Sequence, residues 1–125
     1  MSQFVIRISL VGFLLGASIL SGILLTSRGR PLNTAIFTFH KLLALGAIVY
    51  AIVVFVKLLR GIEAGPVAVC AVILSVLFLV ILFISGALLS FDKMVNGLLL
   101  TLHKVTPILS VVFVGLSLFL LKGLK

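Results

Sequence analysis

Four long apolar runs dominate this chain and leave few options for its fold. The runs cover residues 8–25, 35–56, 67–89 and 98–121. Each is near the roughly 20 residues that a helix needs to cross the hydrocarbon core of a bilayer. The runs are continuously apolar rather than alternating, and a helix satisfies its own backbone hydrogen bonds in lipid. We therefore expect four membrane-spanning helices.

Composition excludes an ordinary soluble domain. Hydrophobic residues make up 63% of the 125 positions and charged residues only 10%, with a mean hydropathy of +1.53. The single cysteine, Cys70, excludes an intrachain disulfide. Short segments at 27–33, 60–66 and 91–96 connect the runs, and short connections make consecutive helices antiparallel neighbours. The sequence predicts an all-α membrane protein: a four-transmembrane-helix up-down-up-down bundle, with residues 1–125 forming one domain.

The chain also contains an internal duplication. One copy of a motif reads Asn33-x-x-x-x-Thr38-x-His40-Lys41 and the other reads Asn96-x-x-x-x-Thr101-x-His103-Lys104. Upstream of these lie a second matched pair of elements, Ser21-Gly22 and Ser85-Gly86. This indicates two tandem two-helix repeats, at approximately 8–60 and 72–123.

The first run resembles a cleaved signal peptide, because Arg7 precedes it and the small residues Gly16-Ala17-Ser18 come after its first apolar residues. Residues 8–25 nevertheless have a counterpart at residues 72–89, which cannot be a signal. We expect the first span to be retained.

The net charge of +8 is concentrated at the helix ends. Lys and Arg at these positions are typical of membrane interfaces, and no soluble surface exists to hold a nucleic acid. The positive charges divide evenly between the two sides, five against five. Discounting Lys41 and Lys104, which lie inside the helices, favours termini in the cytoplasm, and we expect a bacterial inner membrane.

His40 and His103 are the only histidines, and intramembrane ionisable residues are candidates for function. Each lies five residues after the start of its run, roughly 8 Å inside the same face of the membrane. In the predicted bundle the second and fourth spans are diagonal, so the two imidazoles can face each other. This arrangement suits one haem b with an axial imidazole on each face.

The neighbouring motif residues have candidate roles around such a haem. Gly22 and Gly86 would let a porphyrin edge approach the backbone, and Ser21 and Ser85 could hydrogen-bond the far nitrogen of each ligand. For the remaining motif residues two interpretations stay open. The lysines could bind haem propionates or lipid headgroups, and the asparagines could contact propionates or cap their helices; these residues are Lys41, Lys104, Asn33 and Asn96.

Other interpretations of the histidines also stay open. They could form structural polar contacts, serve proton or ion movement, or bind a chlorin pigment. Enzyme chemistry has little support, because Glu63 and Asp92 are the only acids and fall in connections on opposite faces. No Ser-His-acid set, phosphate loop or zinc cluster is apparent either. We expect an electron carrier rather than a stand-alone enzyme; alternatives are a cofactor-free assembly subunit of a larger complex and a small transporter.

With its paired histidine motifs and glycines, the chain resembles the membrane b-type cytochromes of the cytochrome b561 and ferric-reductase-like kind. The resemblance implies haem and electron transport. Those proteins usually hold two haems, whereas two histidines suffice for only one, so we expect a single haem near one face. Its partners would be quinone or another redox protein. Gly12 and Gly16, spaced for close helix packing, form a candidate face for homo- or hetero-oligomers.

Overall fold

The computed structural model describes residues 2–91 and 96–124, and within these residues the fold is entirely α-helical with no strand. The four helices are α1 (Gln3–Ser27), α2 (Thr34–Leu59), α3 (Pro66–Phe91) and α4 (Gly97–Gly123). All four are long and apolar enough to cross a membrane. The predicted class, an integral membrane protein of four spanning helices paired in tandem, is confirmed.

Every helix is longer than the apolar run that predicted it. The helices begin one to five residues earlier and end two or three residues later than the runs. The added residues are mostly polar or lie beside polar ones, such as Ser27 at the end of α1 and Lys57 near the end of α2. Hydropathy marks the hydrocarbon core, whereas backbone hydrogen bonding continues through the interfacial layers.

The helices divide into two compact units, Met1–Val54 and Phe55–Lys125, and the boundary falls within α2. The first unit contains α1 and most of α2; the second contains the end of α2 together with α3 and α4. Each unit therefore includes one serine–glycine pair and one histidine of the duplicated motifs. That residues 1–125 form a single domain stays a prediction.

In the first unit, α1 buries one narrow face. The buried residues are Val11, Leu15, Ser18, Ser21 and Leu25. They recur at intervals of three and four residues, which places them on one side of a helix. Two of the five are serines, and small side chains allow neighbouring helix backbones to approach closely in membranes. Ser18 and Ser21 both contact His40 of α2, so this face carries the first histidine site.

In the second unit, α3 and α4 pack along a face rich in hydroxyl groups. The hydroxyls of Ser75 and Ser117 lie 2.8 Å apart across the two helices, and both residues are completely buried. The rings of Phe78 and Phe113 are also in contact, with 5.1 Å between their centroids. These contacts fix the register of α3 against α4. Pro107 lies inside α4, which nevertheless continues to Gly123.

Large apolar side chains are exposed on all four helices. Phe13, Phe39, Phe83 and Phe119 are examples. Exposure of this extent is incompatible with water but costs nothing where the surrounding medium is lipid. The exposed faces therefore agree with the assignment as an integral membrane protein.

Candidate functional site

His40 is held against α1 by two polar contacts. Its Nδ1 atom lies 2.9 Å from the hydroxyl of Ser21 and 3.1 Å from the carbonyl oxygen of Ser18. The Ser21 hydroxyl itself donates a hydrogen bond to that carbonyl at 2.8 Å. The imidazole, half-buried in α2, thus meets a hydroxyl and a carbonyl that belong to one turn of the neighbouring helix.

These contacts fix the position of the ring proton. A carbonyl oxygen accepts hydrogen bonds only, so the Ser18 contact requires a proton on Nδ1. The Ser21 hydroxyl already donates its hydrogen bond to the Ser18 carbonyl. Its oxygen therefore accepts a hydrogen bond from Nδ1 as well. The neutral imidazole of His40 therefore carries its proton on Nδ1 and its lone pair on Nε2.

The second unit repeats this geometry at His103. Its Nδ1 atom lies 2.9 Å from the hydroxyl of Ser85, which donates to the Leu82 carbonyl at 3.0 Å. With its hydroxyl donating to Leu82, Ser85 presents an oxygen lone pair to Nδ1, as Ser21 does in the first unit. In both units the histidine is the seventh residue of its helix, as α2 begins at Thr34 and α4 at Gly97. The contact is preserved although Ser21 and His40 are 19 residues apart in sequence and Ser85 and His103 are 18 apart.

The glycine beside each serine makes room for the imidazole. A Cβ atom at Gly22 would lie 3.0 Å from Cε1 of His40, and one at Gly86 would lie 2.9 Å from Cε1 of His103. We expected these glycines to admit a porphyrin edge; the structure gives the space to the histidine ring of the same unit. We call Ser21, Gly22 and His40, and likewise Ser85, Gly86 and His103, an imidazole clamp.

Both motif asparagines cap their helices. The side-chain oxygen of Asn33 accepts from the backbone N–H of Ile36 at 3.1 Å. That of Asn96 accepts from Leu98 at 3.0 Å and from Leu99 at 3.4 Å. Each bond satisfies a backbone donor that has no partner within the first turn. Of the two interpretations of these asparagines, capping is the one that the structure displays.

The motif lysines differ between the two units. The Nζ atom of Lys41 lies 4.3 Å from the centroid of the Phe37 ring, a cation–π contact one turn nearer the start of α2. The equivalent of Phe37 in α4 is Leu100, which offers no such ring. Lys41 and Lys104 are both exposed. Lys41 thus extends toward the interfacial end of its helix, the direction expected for binding propionates or headgroups.

Buried hydroxyl groups of the second unit were not predicted from the sequence. Ser75 and Ser117 pair across α3 and α4, and Ser110 is also buried. A signal for two of them was present: Asn96, His103, Ser110 and Ser117 recur every seven residues, which places them on one face of α4. Serines in apolar runs resemble ordinary small packing residues, so the seven-residue spacing alone does not predict buried hydroxyl contacts.

Chemically, each clamp presents an imidazole whose Nδ1 is held by a serine hydroxyl, so the ring is oriented. Among residues 2–91 and 96–124, no group of three or more His, Cys, Asp or Glu side chains could hold a metal ion. A metal bound by side chains alone therefore has no support there, whereas a haem needs only axial ligands because the porphyrin supplies the other nitrogens. No family model, curated protein or solved structure matches this chain.

Proposed function

We propose that this chain is a membrane electron-transfer protein that binds a single haem b near one membrane face, with His40 and His103 as its axial ligands. One observation carries the proposal: in both units Nδ1 of the histidine lies 2.9 Å from a serine hydroxyl, and at His40 a backbone carbonyl beside it requires Nδ1 to be the donor. Histidines that bind metals usually donate their other ring proton to an oxygen acceptor in this way. The donated bond orients the ring and increases the basicity of Nε2, the nitrogen that would bind iron.

The match between the units supports a pair of ligands. The Ser–Gly–His set is conserved between the two copies together with its geometry, whereas the three residues after each asparagine, Thr34-Ala35-Ile36 and Gly97-Leu98-Leu99, share no identity. A porphyrin with an imidazole on each face requires two equivalent ligands, which a tandem duplication supplies directly. When bound, haem would provide reversible one-electron exchange.

Other residues of this chain would support the cofactor. Lys41 and Lys104 would bind propionates by charge-assisted hydrogen bonds at the interface. Ser21 and Ser85 would keep the imidazoles oriented. The axial ligands and their hydrogen bonds are the features that tune a haem potential.

Quinone or another redox protein is the proposed partner. An open groove of about 500 Å³ runs between α1 and α2, lined by apolar side chains such as Ala17, Leu20 and Phe39 and by Ser21 of the first clamp. A quinone ring entering from lipid would find apolar walls there and lie beside Ser21, which contacts His40. We further place the protein in a bacterial inner membrane with its termini in the cytoplasm.

A second function has its own support. Each imidazole is packed over a glycine and hydrogen-bonded to a serine on the neighbouring helix, which is also how a polar side chain fastens two membrane helices. A cofactor-free structural or assembly subunit of a larger membrane complex would use the clamps in this way.

A visible spectrum tests the haem. The full chain, expressed with ample haem and purified in mild detergent, is recorded oxidised and after reduction with dithionite. We expect a sharp Soret band and split α and β bands on reduction, and their loss in both His40→Ala and His103→Ala. Thr101→Ala is the matched control, because its hydroxyl donates only to the Gly97 carbonyl of its own helix.

Three outcomes of the spectrum would count against the proposal. A colourless wild-type protein would overturn the cytochrome and favour the structural subunit. Retention of a six-coordinate spectrum in either histidine variant would contradict ligation by His40 and His103. A haem-to-protein ratio near two would contradict the single site.

A further inference from the structure

The connection between α1 and α2 carries two arginines that the proposed haem site does not use. Arg28 is the C-cap residue of α1, and Arg30 follows two residues later; both are exposed. Gly29 between them has a φ of +70°, a left-handed conformation in which the chain turns sharply away from the helix. Two guanidinium groups are thus carried by one tight turn at an end of the first unit.

The sequence of the first unit contains no acidic side chain to neutralise this pair. The first acid along the chain is Glu63, so residues 1–54 include four Lys and Arg residues but no Asp or Glu. The other connections are balanced in charge. The second contains Arg60 together with Glu63, and the third contains Lys93 together with Asp92, which both lie outside the described residues. The first connection alone therefore has a net positive charge.

Backbone amides at this turn are occupied by α1 itself. The N–H of Arg28 donates to the Leu24 carbonyl at 3.3 Å, and that of Gly29 donates to the Thr26 carbonyl at 3.2 Å. These bonds satisfy carbonyl groups at the end of the helix. An anion at this turn would therefore be bound by the guanidinium side chains, whose planar arrays of N–H donors match the oxygens of a phosphate.

The position of the turn favours a lipid phosphate over a soluble anion. Because α1 ends at Ser27 and α2 begins at Thr34, the connection lies at the end of two spanning helices, in the headgroup layer. About one turn before Arg28, the apolar side chains of Ile23 and Leu24 are exposed. A phospholipid suits both features, with its phosphate against the arginines and an acyl chain against the apolar side chains.

We propose that Arg28 and Arg30 form a binding surface for an anionic phospholipid, which they select over zwitterionic lipids with the same acyl chains. An anionic headgroup supplies the negative charge that the first unit lacks. A zwitterionic headgroup carries its own cation beside the phosphate, so it gains less from the arginines. Basic residues next to a spanning helix attract anionic lipids for this reason. The inference goes beyond haem binding and does not depend on it.

Native mass spectrometry of lipid binding tests this surface. The full chain in mild detergent is titrated with phosphatidylglycerol or with phosphatidylcholine of identical acyl chains. We expect the wild type to bind phosphatidylglycerol more tightly. The Arg28→Gln/Arg30→Gln double variant should lose this preference, with an affinity for phosphatidylglycerol that is lower by roughly tenfold, because each basic residue near an anionic headgroup adds to the attraction.

The Lys57→Gln/Arg60→Gln double variant is the matched control. It removes two positive charges from exposed positions at the other end of α2, in the part of the chain that also contains Glu63. We expect this control to keep the wild-type preference. Equal loss of affinity in both double variants would show that the lipid responds only to the net charge of the protein, and the localised surface would be rejected. Circular dichroism checks that both variants keep their helices.

A measurement on the unchanged sequence avoids any effect of substitution on folding. Spin-labelled phosphatidylglycerol and spin-labelled phosphatidylcholine are compared in phosphatidylcholine liposomes that contain the wild-type protein. We expect the protein to immobilise the anionic lipid preferentially, and we expect added NaCl to weaken the preference because salt screens exposed charges. Equal immobilisation of the two lipids at low salt would overturn the proposal, as would a preference that salt leaves unchanged.

Discussion

At the scale of single residues, each clamp packs an imidazole into the space that a glycine of the neighbouring helix leaves open. His40 and His103 each lie where a β-carbon on the neighbouring helix would be too close, and each ring is held there by a serine hydroxyl. The ring is therefore oriented by contacts on two sides before any ligand binds. Preorganisation of this kind is what a cofactor ligand or a rigid helix fastener requires.

Gly22→Ala and Gly86→Ala should displace the imidazole of their own unit. The added methyl would lie 3.0 Å or less from Cε1, so the ring must move and its bond to serine must lengthen. Overpacking of this kind costs about 1–3 kcal/mol of stability. The ¹⁵N chemical shift of Nδ1 reports the hydrogen bond directly, and unfolding in a denaturing detergent reports the stability.

Gly46→Ala and Gly115→Ala are the controls for the clamp glycines. Neither position has an atom within 4 Å of the added methyl. Replacing an exposed helical glycine by alanine should leave stability unchanged or raise it by about 0.5–1 kcal/mol. If the clamp variants behaved like these controls, the close packing of glycine and imidazole would be refuted.

The sequence predicted the partners of the histidines better than their packing. Ser21 and Ser85 stood out because they recur at matching positions upstream of the histidines. The contact of Gly22 with Cε1 of His40 was not predictable, because it depends on how far the two helices are rotated about their axes. A lone glycine in an apolar run carries no information about which group fills the space above it.

At the scale of the helices, the asparagines define where the second helix of each pair begins. Asn33 and Asn96 accept backbone hydrogen bonds from the first turn, and their own carbonyls accept the first helical bonds, from Phe37 and Leu100, at 2.9 Å each. The helix start sets the depth of the histidine, because the seventh residue of each helix is the ligand candidate. A cap and a binding site are thus coupled through helix register.

Asn96→Ala and Asn96→Asp separate capping from propionate binding. Loss of the cap in the alanine variant should cost about 1 kcal/mol of stability, whereas aspartate keeps the acceptor and suits the positive end of the helix dipole. If Asn96 only caps α4, haem retention on dialysis should be unchanged in Asn96→Asp. Haem loss in that variant, at normal stability, would instead indicate that residue 96 lies against a propionate and repels it.

The helices themselves were predictable because length and hydropathy suffice to identify a span. Their ends were not, since α1 continues through Arg7 and Ser27 where hydropathy falls. The caps could be anticipated from the asparagines alone, because the residue type and the following apolar run are typical of a helix start. What the sequence leaves open is the pairing of hydroxyls such as Ser75 and Ser117, which requires the register between two helices.

At the scale of the whole chain, a duplicated pair of helices has kept one feature and changed another. The imidazole clamp is the same in both units, although the segment between serine and histidine differs by one residue. The buried hydroxyl pair of Ser75 and Ser117 occurs in the second unit, whereas the matching positions of the first unit are Val11 and Val54. Each unit therefore keeps the same imidazole contacts within different surroundings.

Four spans, together with the proposed cytoplasmic termini, predict which side of the membrane each connection faces. Single cysteines at Ser27 and Gly97 should share one side, and those at Gly65 and Gly123 the other, all in a Cys70→Ala background. An impermeant maleimide added to intact spheroplasts should label Ser27→Cys and Gly97→Cys at once, and the other two only after lysis. All four positions are exposed at or beyond helix ends.

The labelling pattern discriminates between topology and orientation. A complete reversal would keep four crossings and place the termini outside, contrary to the charge-based expectation, in which Lys93 and Lys125 also counted although they lie outside the described residues. Labelling of Ser27→Cys and Gly97→Cys from opposite sides would contradict the topology itself, because the starts of α2 and α4 could then not lie at one face of the membrane. The two histidines, which depend on those starts for their depth, would be separated by the membrane, and a haem shared between them would be impossible.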